Sequence, residues 1–182
     1  ADKVIGVTDK TVQQRMAEAK RTRAFRIRDA FKRAADENAS QLPVVSAFAK
    51  FMLNEDLETA NRLLTEDLEA SSMADVWHLL KNLIYCRFYY MFSNRYGKYP
   101  GRMTPETEKV LLETLWERTE AANDIHWSKQ NTWWLDGSEN HDLDAKSVNL
   151  VSSRIFMNEP EYKNRIYPDY GFGGSYHYGH AG

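Results

Sequence analysis

Cysteine is almost absent from this sequence: Cys86 is the only one in 182 residues, which excludes an internal disulfide and any zinc site built on several thiolates. It lies in the apolar run Leu83-Ile84-Tyr85-Cys86 and reads as a small buried hydrophobe. No stretch approaches the ~20 consecutive apolar residues that a membrane-spanning helix needs. A signal-peptide pattern is missing too, and the chain opens Ala1-Asp2-Lys3 without Met, as a processed product would; the expected setting is therefore secreted or periplasmic. Neither charge sign dominates, with Lys plus Arg at 24 against Asp plus Glu at 26, and a net charge of −2 argues against a dedicated nucleic-acid binder. Strand-type alternation, a repeat at fixed period and a low-complexity linker are all lacking.

What is present is one helical pattern after another, in a chain long enough for a single domain with a real core. Residues 9–37 are highly charged, with Val12, Met16, Ala19, Ala24, Phe25, Ile27, Phe31 and Ala34 interspersed. The basic run from Lys20 to Arg33 looks like an arm for phosphate, but the apolar spacing predicts an amphipathic helix with a solvated face. Pro43 suits the first position of a second helix carrying Val44, Val45, Phe48, Ala49, Phe51, Met52 and Leu53. Asp56 can cap a third, built on Leu57, Ala60, Leu63, Leu64 and Leu68. The fourth is expected over 73–96, with Val76, Trp77, Leu79, Leu80, Leu83, Ile84, Phe88 and Met91 as its core stripe. The turn Tyr96-Gly97-Lys98-Tyr99-Pro100-Gly101 closes it. Thr104 as N-cap and Pro105 at the next position open a fifth, with Val110, Leu111, Leu112, Leu115 and Trp116 on its apolar side. A sixth is expected from Glu139 to Met157, ended by Pro160, with Leu143, Ser147, Leu150, Val151 and Arg154 on one stripe. His141, Ala145, Val148, Ser152 and Ile155 lie on the adjoining one. The remainder, 162–182, is rich in Tyr, Gly and His and has no helical period. The class is all-α.

Most chemical constellations fall away. Gly171-Phe172-Gly173-Gly174 follows no strand and opens no helix, so it is not a phosphate loop. His177 and His180 with His141 lack a carboxylate at ligand spacing, and His78 stands alone on an apolar helix; no metal and no cofactor is expected. The acids Glu139, Asp142 and Asp144 fit compensation of a helix dipole better than a paired-carboxylate hydrolase site. What remains is Asn140-His141, behind the pair Trp133-Trp134 and the capping residue Ser138. An amide can donate to a carboxylate, and a helix N-terminus disfavours an imidazolium, which leaves His141 a neutral base. The same dipeptide can equally do no more than cap a helix.

The string Trp134-x-x-x-Ser138-Glu139-Asn140-His141, after a multi-helix stretch rich in Trp and Tyr, resembles the Ser-Glu-Asn-His signature of helical-toroid polysaccharide lyases. The tail Gly173-Gly174-Ser175-Tyr176-His177-Tyr178-Gly179-His180 is similar to a cleft-lining turn in such toroids, although no Asp directly precedes its glycines. The resemblance implies an (α/α) toroid whose concave face binds an acidic polysaccharide such as alginate or glucuronan and cleaves it by β-elimination. Asn140 would neutralise the uronate carboxylate, His141 would take the C5 proton, and Tyr176 or Tyr178 would protonate the departing oxygen. Trp133 and Trp134 would stack on sugar rings, Arg87 or Arg95 would meet a carboxylate, and Glu139, His177 and His180 would complete the substrate contacts.

Six helices are about half of a toroid, so the expectation is the N-terminal half of a larger barrel, completed by a C-terminal portion or by a second chain. Residues 1–182 then form one helical domain, with 162–182 as a cleft loop. Two rival readings stand beside it. One is a glycoside hydrolase on the same barrel, using Glu139 or Asp142. The other is a non-catalytic sugar-binding or scaffold module.

Overall fold

The computed structural model describes residues 9–38, 42–70, 79–122 and 139–165. Among them are six α-helices and no strand: α1 (Asp9–Ala34), α2 (Pro43–Leu53), α3 (Leu57–Ala70), α4 (Leu79–Phe92), α5 (Pro105–Ala122) and α6 (Glu139–Asn158). The all-α class follows.

Local chemistry fixes most of the boundaries. Pro43 stands at the start of α2, and α2 ends where Asn54 turns left-handed (φ 59°), its N–H donating back to the Phe51 carbonyl. The Asp56 carboxylate accepts from Thr59 in the first turn of α3, as expected of a cap, and is held below the usual carboxylate range first by the Lys50 ammonium and then by Thr59. Thr104 caps α5, its hydroxyl accepting from the Thr107 N–H at 3.2 Å, with Pro105 next.

The fourth helix departs from expectation at its end. It stops at Phe92, so Asn94, Arg95 and Tyr96 lie in a turn. The Ser93 hydroxyl accepts from the N–H groups of Arg95 and Tyr96. Asn94 donates to the Met103 carbonyl and accepts from Gly101 N–H, which ties the turn into a closed loop. Gly97 is required there, because a Cβ would run into the backbone of Phe92 and Ser93.

Neighbouring helices run opposite ways and alternate helices run the same way. Asn94 and Glu108 mark one end of the α4–α5 pair and Asn82 and Arg118 the other, so these two are antiparallel. Asn61 with Thr104 and Thr65 with Thr107 align α3 parallel to α5. Cys86 with Ser152 and Tyr89 with Glu159 align α4 parallel to α6. Ring contacts of Phe48 and Phe51 with Phe88 and Phe92 place α2 alongside α4, and Arg102, in the turn after α4, donates to the carbonyls of Phe51 and Met52, which brings the last turns of the two helices together. The bundle therefore has two layers, α2–α4–α6 over α3–α5. Among the described residues α1 packs mainly on α2, with Ser46 donating to the Ala35 carbonyl and Arg28 pairing with Glu55. Most of the rest of α1 is exposed, and this includes the apolar Val12, Met16, Phe25 and Ile27, so the apolar side expected of an amphipathic helix is not covered among the described residues.

The core joins the two layers: Phe51, Leu64, Tyr85, Phe88, Tyr89, Phe92, Leu111, Leu115, Trp116 and Ile155 are all buried. On α4 the buried residues are Asn82, Tyr85, Cys86, Phe88, Tyr89 and Phe92, whereas Leu83, Ile84 and Met91 are only half-buried. Only Phe88 of the described, assignable residues in the expected stripe is fully enclosed, because tyrosine rather than leucine fills the α4–α5–α6 junction. Among the described residues no helix is long and apolar enough to cross a membrane.

Truncation of Phe88 to alanine removes the ring that meets Phe48, Phe51 and Phe92. The expected cost is about 3–5 kcal/mol of folding stability, read from urea unfolding followed by far-ultraviolet circular dichroism. A loss below about 1 kcal/mol would mean that the two layers close over the gap and that this cluster does not hold them.

Candidate functional site

Of the residues expected to act, the backbone of Glu139, Asn140 and His141 forms the start of α6, as expected. Trp133, Trp134, Tyr176, His177, Tyr178 and His180 lie outside the described residues, as do Ser138 and the Gly-rich tail. Arg87 is exposed on α4, and Arg95 is exposed in the turn beyond it, its guanidinium 5.5 Å from the Tyr96 ring centre.

Helix direction decides which of these share an end of the bundle. Because α4 and α6 are parallel and Cys86 is level with Ser152, Asn82 is level with Val148; Asn140 then stands eight residues, about 12 Å of helical rise, further out. Arg95 is at the other end, since its neighbour Tyr96 donates to the carbonyl of Asn158, the last residue of α6, at 2.9 Å. Asn158 lies about 25 Å of rise from His141, so the fold does not bring Arg95 to the start of α6. Arg87 lies between.

The end nearer Asn140 holds a buried polar cluster that the hydrophobic pattern gives no sign of. Tyr85 donates its hydroxyl to Asp67 at 2.6 Å, and Lys81 reaches the same carboxylate at 3.2 Å. Arg118, 2% exposed, donates through Nε to Asn82 Oδ1 and places its guanidinium 5.9 Å from the centre of the Tyr85 ring. Three helix ends meet here: the last turns of α3 and α5 and the first turns of α4. Charge-assisted bonds of this kind fix the rotation and register of helices more than they add net stability.

Toward the other end, Tyr89 donates to Glu159 at 2.6 Å, and Tyr162 donates to Glu113 at 2.8 Å, where Arg165 completes an ion pair. Burial, reinforced by the carboxylate partner, pushes both phenols well above their ordinary range. Neither is poised to exchange a proton near neutrality. Tyr162 opens the 162–182 stretch assigned to a cleft loop, yet it packs between Trp116 and Phe156 in the core.

Two exposed groups complete the picture. Tyr90, on α4, keeps 40% of its surface open; Arg154, on α6, is exposed and near enough for its charge to act on the Tyr90 hydroxyl. Among the described residues no group of three His, Cys, Asp or Glu could hold a metal ion. Comparison with protein-family models, with curated proteins and with solved structures finds no match.

Cys86 provides a check on how tightly the α4–α6 seam is closed. Burial raises its thiol from the ordinary 9.0 to about 11, only partly offset by the contact with Ser152 Oγ at 3.6 Å. The native thiol should resist a disulfide exchange reagent at pH 8 and react at once in denaturant. The unfolded chain loses this proton first, so its share of stability is complete below pH 9 and declines between pH 9 and about 11. Cys86→Ala should flatten the first part of that decline, below the range where tyrosines ionise. Fast labelling of the native protein would show that the seam opens.

Proposed function

We propose that this chain contributes the base-bearing part of a polysaccharide lyase acting on a uronate polymer by β-elimination. The observation that supports it best is the position of Asn140-His141 in the first turn of a helix that belongs to a two-layer array with alternate helices parallel. Two-layer arrays with alternate helices parallel are among the arrangements an (α/α) toroid uses. Such an array offers one layer to enclose a concave surface and one to pack outside it. Six described helices would be part of such a ring, completed by further chain or by a second subunit.

In this reading the carboxylate of the sugar being cleaved meets the Asn140 amide, which disperses its charge and acidifies the C5–H bond. His141, kept neutral by the positive end of the α6 dipole, takes the C5 proton. Electrons from that bond form the C4–C5 double bond, and the C4–O4 bond breaks. Tyr176 or Tyr178 supplies the proton to the departing O4, with Trp133 and Trp134 as stacking platforms. The buried Asp67–Tyr85–Lys81 and Asn82–Arg118 contacts support it in one respect: they fix the register of α4, on which α6 packs, against α3 and α5.

A panel of uronate polymers incubated with the protein, followed by the ultraviolet absorbance of the unsaturated product, tests the reading. His141→Ala should lower turnover by ~10²–10⁴ and Asn140→Ala by ~10²–10³, with folding intact by circular dichroism. Saturated reducing ends without the ultraviolet band would replace elimination by hydrolysis. Turnover that survives His141→Ala would remove His141 from the chemistry.

A further inference from the structure

We propose that the uncovered face of the α4–α6 seam, carried by Arg87, Tyr90 and Arg154 and prolonged by Tyr96 and Arg95, binds the carboxylate-bearing chain of an acidic polysaccharide. The proposal shares its substrate class with the reading above and rests on it for that choice, but it needs no elimination chemistry.

The face is defined by what covers the rest of the two helices. Asn82, Tyr85, Cys86, Phe88, Tyr89 and Phe92 turn α4 toward α2, α5 and α6, and Val148, Ser152, Ile155 and Phe156 turn α6 toward α4 and α5. Arg87 and Tyr90, three apart, are left on one side of the seam; Leu150, Arg154 and Met157, at i, i+4 and i+7, are left on the other. Leu150 is 46% exposed and Met157 59%, so apolar surface flanks the two arginines.

Charge selects the occupant. Residues 79–103, which comprise α4 and the turn after it, include Lys81, Arg87, Arg95, Lys98 and Arg102 and no acid, in a chain whose net charge is −2. Lys81 is engaged by Asp67, and Arg102 by the carbonyls of Phe51 and Met52. Arg87 and Arg154 enter no ion pair among the described residues. Glu159, the acid beside the seam, is engaged by the Tyr89 hydroxyl at 2.6 Å. Guanidinium forks match carboxylates, and the open rings of Tyr90 and Tyr96 (43% exposed) offer flat apolar faces to sugar rings between those carboxylates. By helical register Asn140 falls on the stripe of Ser147, Val151 and Arg154, so a polymer laid along this face leads to the first turn of α6.

The test uses the full chain carrying His141→Ala, so that no substrate is consumed, and titrates it calorimetrically with oligoalginate and oligoglucuronate. Arg87→Gln with Arg154→Gln should weaken binding at least tenfold and reduce its dependence on salt. Tyr90→Ala should weaken it severalfold, and Tyr90→Phe should not. Carboxyl-reduced oligomers should not bind, and Arg21→Gln with Arg26→Gln on α1 should change nothing.

Unchanged affinity in the Arg87/Arg154 variant, an equal loss from the α1 pair, or equal binding of an RNA oligomer would each overturn the proposal. The two readings fail separately. If the wild-type chain makes no unsaturated product yet binding depends on Arg87 and Arg154, elimination is lost and the face stands. If product forms with a KM indifferent to Arg87 and Arg154, the face is lost and elimination stands.

Discussion

The packing of four phenylalanines, Phe48 and Phe51 from α2 against Phe88 and Phe92 from α4, is the contact on which the rest of the bundle depends. It joins helices that are not neighbours in the chain, with ring centres 5.0–5.8 Å apart across the two helices. The cluster also reaches into the turn after α4: Tyr99 lies over Phe92, and Arg102 lies over Tyr99 while donating to the Phe51 and Met52 carbonyls that end α2. Asn61 of α3 then takes the Arg102 carbonyl and the Thr104 N–H, which ties the start of α5 to α3. One apolar contact, extended by directional bonds, thus sets the ends of four helices.

Along α4 the task of choosing partners passes to buried polar groups. Lys81 and Tyr85 select Asp67 on α3, Asn82 selects Arg118 on α5, Cys86 meets Ser152 on α6, and Tyr89 selects Glu159 just beyond α6. A helix as uniformly apolar as α4 could rotate in its socket with little change in buried area. Polar groups that must be satisfied permit only one rotation. The exposed stripe of α4 follows from the same constraint: with Asn82, Tyr85, Cys86 and Tyr89 turned inward, Arg87 and Tyr90 must face outward.

That constraint also explains what the sequence reveals and conceals. Helices with strong local signals are legible: α2 begins at Pro43, Asp56 caps α3, Thr104 and Pro105 open α5, and α6 spans almost the expected residues. In α3 and α5 the apolar stripe alone identifies the inward face. In α4 it fails, because leucine, isoleucine, phenylalanine and methionine occur all round the helix, and the choice is made by tyrosines whose hydroxyls find carboxylates distant in sequence, Asp67 on α3 and Glu159 just beyond α6. The end of α4 is concealed for a similar reason. Asn94, Arg95 and Tyr96 suit a helix locally; the Ser93 hydroxyl, which takes the N–H groups of Arg95 and Tyr96, and the side chain of Asn94, bonded to Met103 and Glu108, draw the backbone away. The site divides in the same way: Asn140-His141 is legible as a helix start, whereas the distance of Arg95 from it depends on α4 and α6 being parallel.

Successive residues on a helix diverge by about 100°, which constrains how Asn140 and His141 can serve one substrate. The stripe of Asn140 continues through Ser147 and Arg154 toward the open face of the seam. That of His141 continues through Val148, Ser152 and Ile155, which are buried. A sugar held only along the open face would be reached from the Asn140 stripe and not from that of His141. Under the elimination reading the polymer therefore has to turn across the first turn of α6, about 12 Å of helical rise beyond the level of Asn82 on α4. The carboxylate approaches from the seam side and C5 passes over the helix end. If both proposals hold, Arg87 and Arg154 would grip the part of the polymer that is not cleaved, and that binding energy would be available for the chemistry at the helix end.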